Sequence, residues 1–152
     1  MKHIYTCLLL SFVLFSCNSD DVDCISEPIF NGAIVIELVN VDGENLIENG
    51  TYNAEDITIA FNDSLLTGVV TTDFPEIANR IVLNIFGQDG DNTFDINLSD
   101  TETDELILNL TREATGGPCS QFALLLNAAL YNSETIALQD SDVGYLMTIV
   151  KE

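Results

Sequence analysis

The stretch Ala33-Ile34-Val35-Ile36-Glu37-Leu38-Val39-Asn40-Val41, closed by Asp42-Gly43, decides the fold class. Five of its nine residues are β-branched, and such side chains are stiff at χ1 and pack well on a pleated surface. The run then stops at a dipeptide that favours turns. Working outward, the same signal returns along the chain. Ile57, Ile59 and Phe61 share one face of 57–62, and 65–71 reads as the return strand of a hairpin across Asp63-Ser64. Residues 81–86 form the next strand, followed by a polar turn over 87–92. Phe94, Ile96 and Leu98 alternate inward, and Leu106, Leu108 and Leu110 repeat the pattern before Gly116-Gly117-Pro118 breaks it. The run 122–130 is rich in Ala and Leu, which favour helix. Yet Phe122, Leu124, Leu126, Ala128 and Leu130 also fit a period of two, and the short, Gly-Pro-flanked run is assigned as strand. Residues 143–150 close the series.

About eight short strands at roughly 8–12-residue spacing predict an all-β protein. The expected architecture is an antiparallel β-sandwich of immunoglobulin-like or transthyretin-like type. No internal repeat is visible, which sets aside propellers and solenoids.

Composition agrees with a packed core. The 152 residues are 47% hydrophobic, yet carry 25 Asp+Glu against 4 Lys+Arg, a net charge of −21. Disorder needs low hydrophobicity together with high charge, so the apolar residues must be buried and the acids solvated. Nucleic acid is excluded as a partner, because phosphate binding needs Lys and Arg. Mutual repulsion of the acids favours a monomer.

The first residues give the address. Met1-Lys2-His3 is a short basic segment, and 4–15 is an acid-free apolar run of twelve residues. A membrane-spanning helix takes roughly 17–25, so a signal peptide over 1–16 is the better reading. The run ends in Leu14-Phe15-Ser16-Cys17, which resembles the lipobox of bacterial lipoproteins. That resemblance implies cleavage before Cys17 and acylation of Cys17, making the membrane a partner through the lipid anchor. Next, Ser19-Asp20-Asp21 resembles the export signal of Bacteroidota lipoproteins, which implies display on the outer face of the outer membrane. Residues 17–26 are also simply an acidic tether, and 27–152 is the expected sandwich domain.

Processing would remove Lys2 and His3, leaving Arg80, Arg112 and Lys151 against 25 carboxylates, a net charge of −22. Of four cysteines, Cys7 would leave and Cys17 would carry lipid. Cys24 and Cys119 remain, and in an exported protein they are expected to pair. Such a bridge would contribute about 4–5 kcal/mol in the chain-entropy model. Two free buried thiols are the alternative.

Two further segments carry a resemblance. Residues 38–47 with Gly50-Thr51-Tyr52-Asn53 and Asp56-Ile57, together with Tyr145-Leu146-Met147-Thr148-Ile149-Val150-Lys151, look like the opening and closing strands of small Bacteroidota lipoprotein domains. This implies a β-sandwich and a cell-surface address, and no activity.

Catalytic signals are scarce. A processed chain without His lacks the usual general base and most zinc or iron sites. No phosphate-loop, dinucleotide or nucleophile-elbow motif is present. Paired carboxylates of the glycosidase kind are the one enzymatic reading left. Calcium is the one cofactor with candidates: Asp89, Asp91 and Asp95 about a turn, and the cluster Asp100, Glu102, Asp104 and Glu105. The first set is not an EF-hand, since Phe94 stands where Gly is required, and turn chemistry alone accounts for Asp89-Gly90-Asp91-Asn92. Asp63-Ser64-Leu65 resembles the O-glycosylation motif of Bacteroidota, with Ser64 as acceptor. The Asn-x-Ser/Thr triplets at Asn49, Asn62, Asn97 and Asn109 would be incidental in the bacterial chain that the lipobox resemblance implies. The expected function is a lipid-anchored surface binding or structural module, contacting a glycan or a neighbouring outer-membrane protein. Its alternatives are a calcium-dependent adhesion or glycan-binding module and a carboxylate-driven glycan hydrolase.

Overall fold

The computed structural model describes residues 32–116 and 122–152. The signal peptide, Cys17, Ser19, Asp20, Asp21, the tether, the first five residues of the expected 27–152 domain, Cys24 and Cys119 lie outside the described residues.

The all-β expectation holds. Two sheets stack around one core, and no helix occurs among the described residues. One sheet has five strands in the order β10 (Gln139–Ser141), β11 (Gly144–Val150), β1 (Ala33–Val39), β5 (Arg80–Asn84), β4 (Val70–Thr71). The other has six, in the order β3 (Ser64–Leu66), β2 (Thr58–Phe61), β6 (Gly90–Ser99), β7 (Glu102–Ala114), β8 (Phe122–Tyr131), β9 (Glu134–Thr135). The expected antiparallel pairing is broken once, because β1 and β11 run parallel from Ala33 opposite Gly144 to Val39 opposite Val150. Parallel neighbours need a long crossover, and here the whole intervening chain supplies it.

Among the described residues eleven strands replace the expected eight or so, because the sheet edges are made of short pieces. The expected return strand over 65–71 is divided: β3 pairs with β2, whereas β4 crosses to the other sheet. The hairpin turn is Asn62-Asp63, one residue earlier than expected, since Phe61 pairs with Ser64 and Asn62 takes a φ of 52°. On the opposite flank, β9 and β10 make a second crossing between sheets. Each open edge is therefore only two or three residues long, which limits edge-to-edge association.

Alternation along the central strands builds the core. Ile34, Ile36 and Leu38 face Phe94, Ile96, Leu98, Leu106, Leu108 and Leu110, all buried. Phe94 stacks on Phe61 at 4.6 Å between centroids and meets Phe86 edge-on at 5.4 Å, joining the two sheets. Such aromatic pairs contribute about 0.5–1.5 kcal/mol each beyond their buried area.

β8 is a strand, as assigned, but its period of two does not run through. The register with β7 shifts between Asn109 and Leu110, which leaves Asn127 as the extra residue of a bulge. Before it Leu124 and Leu126 pack inward; after it Ala129 and Tyr131 do. One inserted residue moves every later side chain to the other face.

The chain between β1 and β2, residues 40–57, covers one end of the sandwich with Leu46, Ile47, Tyr52 and Ile57. Asn residues bend it: the side-chain oxygens of Asn40, Asn45 and Asn49 accept from backbone N–H groups two residues on, at 2.9–3.0 Å.

Candidate functional site

Because β1 and β11 are parallel, the domain has an entry pole, where β1 begins, and an exit pole, where β11 ends. The inward row of β7 links them: Asp104, Leu106, Leu108, Leu110, Arg112. An acid lies at one end and a base at the other, about 27 Å apart at the rise of an extended strand.

At the exit pole Asp104 is 5% exposed. Its carboxylate accepts hydrogen bonds from Lys151 Nζ at 2.7 Å, Tyr131 Oη at 2.7 Å and Asn132 Nδ2 at 2.9 Å. Lys151 also pairs with Glu102 at 2.7 Å, and Tyr52 donates to both Glu102 oxygens at 2.9 and 3.0 Å. Burial by itself would push the Asp104 carboxyl up, but the hydrogen bonds from Lys151, Asn132 and Tyr131 overcome it and hold it low. Burial and the Asp104 hydrogen bond drive the Tyr131 hydroxyl far above its ordinary value, while burial and Glu102 raise Tyr52 to about 12. Two carboxylates do converge here, but on a lysine. Asp104 is held as an anion, the opposite of the raised carboxyl that a glycosidase acid requires. The cluster acts as a clasp, fixing the chain just after β11 to the facing sheet.

The entry pole is different. Gly32 accepts from the Ile85 N–H at 3.0 Å, and the loop after β5 passes over the open end of the sandwich. Asn92, 3% exposed, holds that loop: its side chain accepts from the Gln88 N–H and donates to the Gln88 and Gly90 carbonyls at 2.8–3.0 Å. The approach is so close that Gly87, at a φ of 140°, has no room for a Cβ beside the Asn92 side chain. The loop therefore extends only over 85–89, and the expected turn over 87–92 is shortened because β6 has already begun at Gly90. Asp89 accepts from the Arg112 N–H at 2.8 Å, and the Arg112 guanidinium carbon lies 4.0 Å from the centroid of the Phe122 ring. Gly87, Gln88, Asp89, Arg112, Phe122 and Leu124 line an open groove of about 550 Å³.

The calcium candidates of the first set do not meet, and Glu102 and Asp104 of the second converge on Lys151. Asp89 supports β7, and Asp91 accepts from Asn109 Nδ2 at 2.6 Å in a polar row continued by Asn127. Asp95 lies opposite Glu105. Asp91 and Asp95 are four residues apart on an extended strand, roughly 13 Å, too far to share one ion. Among the described residues no three His, Cys, Asp or Glu side chains are grouped to hold a metal. Ser64 is exposed at the start of edge strand β3. Sequence reasoning missed Arg112, Phe122, Asn92 and Lys151. The one available signal was that Asp104 and Arg112 are in phase with the buried leucines of β7.

An expected result follows for ions. The melting temperature should rise as NaCl goes from about 0.01 to 1 M, where the Debye length falls from about 30 to 3 Å and repulsion such as that between Asp95 and Glu105 is screened. Calcium should add nothing beyond an ionic-strength-matched control, and a calcium-specific gain abolished by Asp89→Ala or Asp91→Ala would contradict this placement of the acids. Compared with protein-family models, curated proteins and solved structures, the chain matches none of them.

Proposed function

We propose that this chain is a lipid-anchored β-sandwich displayed on the bacterial outer membrane, acting as a binding or structural module. The observation that carries the reading is Leu14-Phe15-Ser16-Cys17 with Ser19-Asp20-Asp21, placed fifteen residues ahead of Gly32, where the described sandwich begins. A tether of that length reaches at most about 50 Å. It would enter at the pole that carries the Arg112 groove and turn the clasped exit pole outward. The polar groups of the exit pole are committed to one another, which supports a binding or structural role over hydrolysis.

The proposed Cys24–Cys119 bridge fits the same arrangement. Cys24 is eight residues before Gly32 and Cys119 three before Phe122, and both of these flanking residues belong to the entry pole. A bridge there would fasten the tether to the domain. O-glycosylation at Ser64 is supported by its exposure on a short edge strand.

Cys17→Ala is expected to move the protein from the membrane fraction to the soluble fraction almost completely, since a stable anchor takes more than one acyl chain and no basic patch substitutes for it. Replacing Ser19, Asp20 and Asp21 with Ala should leave the protein lipidated but protected from protease added to intact cells. Retention of Cys17→Ala in the detergent phase would overturn the anchor; unchanged protease access of the triple variant would overturn surface export.

A further inference from the structure

We infer that the entry-pole groove binds a sugar ring bearing a single carboxylate, a uronic acid residue at the end of a glycan. The inference rests on the binding-module part of the proposed function and is independent of the lipid anchor.

Three cations remain in a chain processed at Cys17. Arg80 is paired with Glu37 at 2.8 Å and Lys151 with Glu102 and Asp104. Among the described residues, Arg112 is the one without an ion pair, although 25 carboxylates are present to supply it. The fold puts it at the inward end of β7, in the mouth of the sandwich, rather than on the acidic outer face. Its seat over Phe122 draws the cation to the ring without neutralising it. Guanidinium matches a planar carboxylate with two parallel hydrogen bonds.

The rest of the lining narrows the ligand. Phe122 is 44% exposed and, with Leu124, offers an apolar wall suited to the C–H face of a pyranose. Gln88 and Asp89 supply an amide and a carboxylate that can meet ring hydroxyls. An inorganic anion would leave that wall unused, and a neutral sugar would leave Arg112 without a counter-charge. A polyanion or an acidic peptide would bring further charges against a chain with a net charge of −21. A groove of about 550 Å³ lies within the usual range for small-molecule sites, roughly 300–1,000 Å³.

The test titrates the full-length chain, in detergent where it is lipidated, with glucuronate, galacturonate, the neutral sugars glucose and galactose, and acetate, reading NMR shifts or heat. Saturable binding of a uronate, with at least tenfold weaker binding of its neutral counterpart and of acetate, is the expected result. Arg112→Gln and Phe122→Ala should each weaken it at least tenfold while the far-UV spectrum is retained; Arg112→Lys should recover only part. Equal binding of uronate and neutral sugar would overturn the carboxylate, equal binding of acetate would overturn the sugar, and no binding by any probe would overturn the site. None of these outcomes bears on Cys17, whose test reads membrane retention.

Discussion

Replacing Asp104 by Ala is expected to destabilise the domain by about 3–5 kcal/mol, the cost of stranding one partner of a buried ion pair. For a domain of this size that lowers the melting temperature by about 10–20 °C. The reason lies in how many groups converge on one carboxylate. With Asp104 gone, Tyr131 Oη and Asn132 Nδ2 lose this acceptor, and Lys151 keeps only the more exposed Glu102. Asn132 is doubly tied, since its Oδ1 accepts from the Glu105 N–H at 2.8 Å and its own N–H bonds the Glu105 carbonyl. It also holds a φ of 49° in the β8–β9 turn, so loosening it frees the edge of the six-stranded sheet. Asp104→Asn, which keeps the shape and one acceptor, should cost less than Ala.

The pH dependence of that loss has a definite sign. Asp104 has a folded pKa below the ordinary carboxyl value of 3.8, so its contribution is complete above that value and fades as pH falls through the folded pKa. Lys151 is raised above 10.5, so its contribution is complete below that value and fades as pH rises through the folded pKa. The gap in melting temperature between wild type and Asp104→Ala should therefore be constant from about pH 5 to 9 and shrink below about pH 4. A stability difference under about 1 kcal/mol at pH 7, or a melting-temperature gap that widens on acidification, would show that the clasp does not hold the two sheets together.

The legible parts of this fold were those in which one face of a strand meets the core. Phe94, Ile96 and Leu98, and then Leu106, Leu108 and Leu110, reveal both strand and inward face because burial forces a period of two. β8 was legible as a strand but not in its facing, since a bulge at Asn127 depends on the pairing with β7 and leaves no mark in composition. The edges were illegible for a related reason. β3 and β4 adjoin in sequence, yet belong to different sheets, and the crossing near Gly68 is set by where the sandwich closes. The Asp-rich turn was read as turn chemistry, with calcium as the alternative, but neither reading showed that Asp89 and Asp91 serve as acceptors for β7. Lys151 and Asp104 are 47 residues apart, and nothing local announces that pairing.

Gly144→Ala is expected to be the other severe substitution, at about 3–4 kcal/mol, or roughly 10–15 °C in melting temperature. Gly144 opens β11 at a φ of +135°, a conformation that L side chains rarely adopt. A Cβ there would press into the Ala33 carbonyl oxygen and come within 2.7 Å of Ala33 N and 2.9 Å of Ala33 C. All three are backbone atoms, so no rotamer change relieves the contact. Ala33 is itself paired on its other side with Asn84 of β5, and it cannot retreat without opening that ladder too. Gly43→Ala provides the control, for its φ of +83° is also left-handed but nothing lies within 4 Å of a Cβ. It should cost only the conformational penalty, about 1 kcal/mol. The difference between the two variants isolates the collision at the parallel β1–β11 pair. If both melt within a degree or two of each other, the start of β11 yields freely, and the β1–β11 pairing does not fix the entry pole.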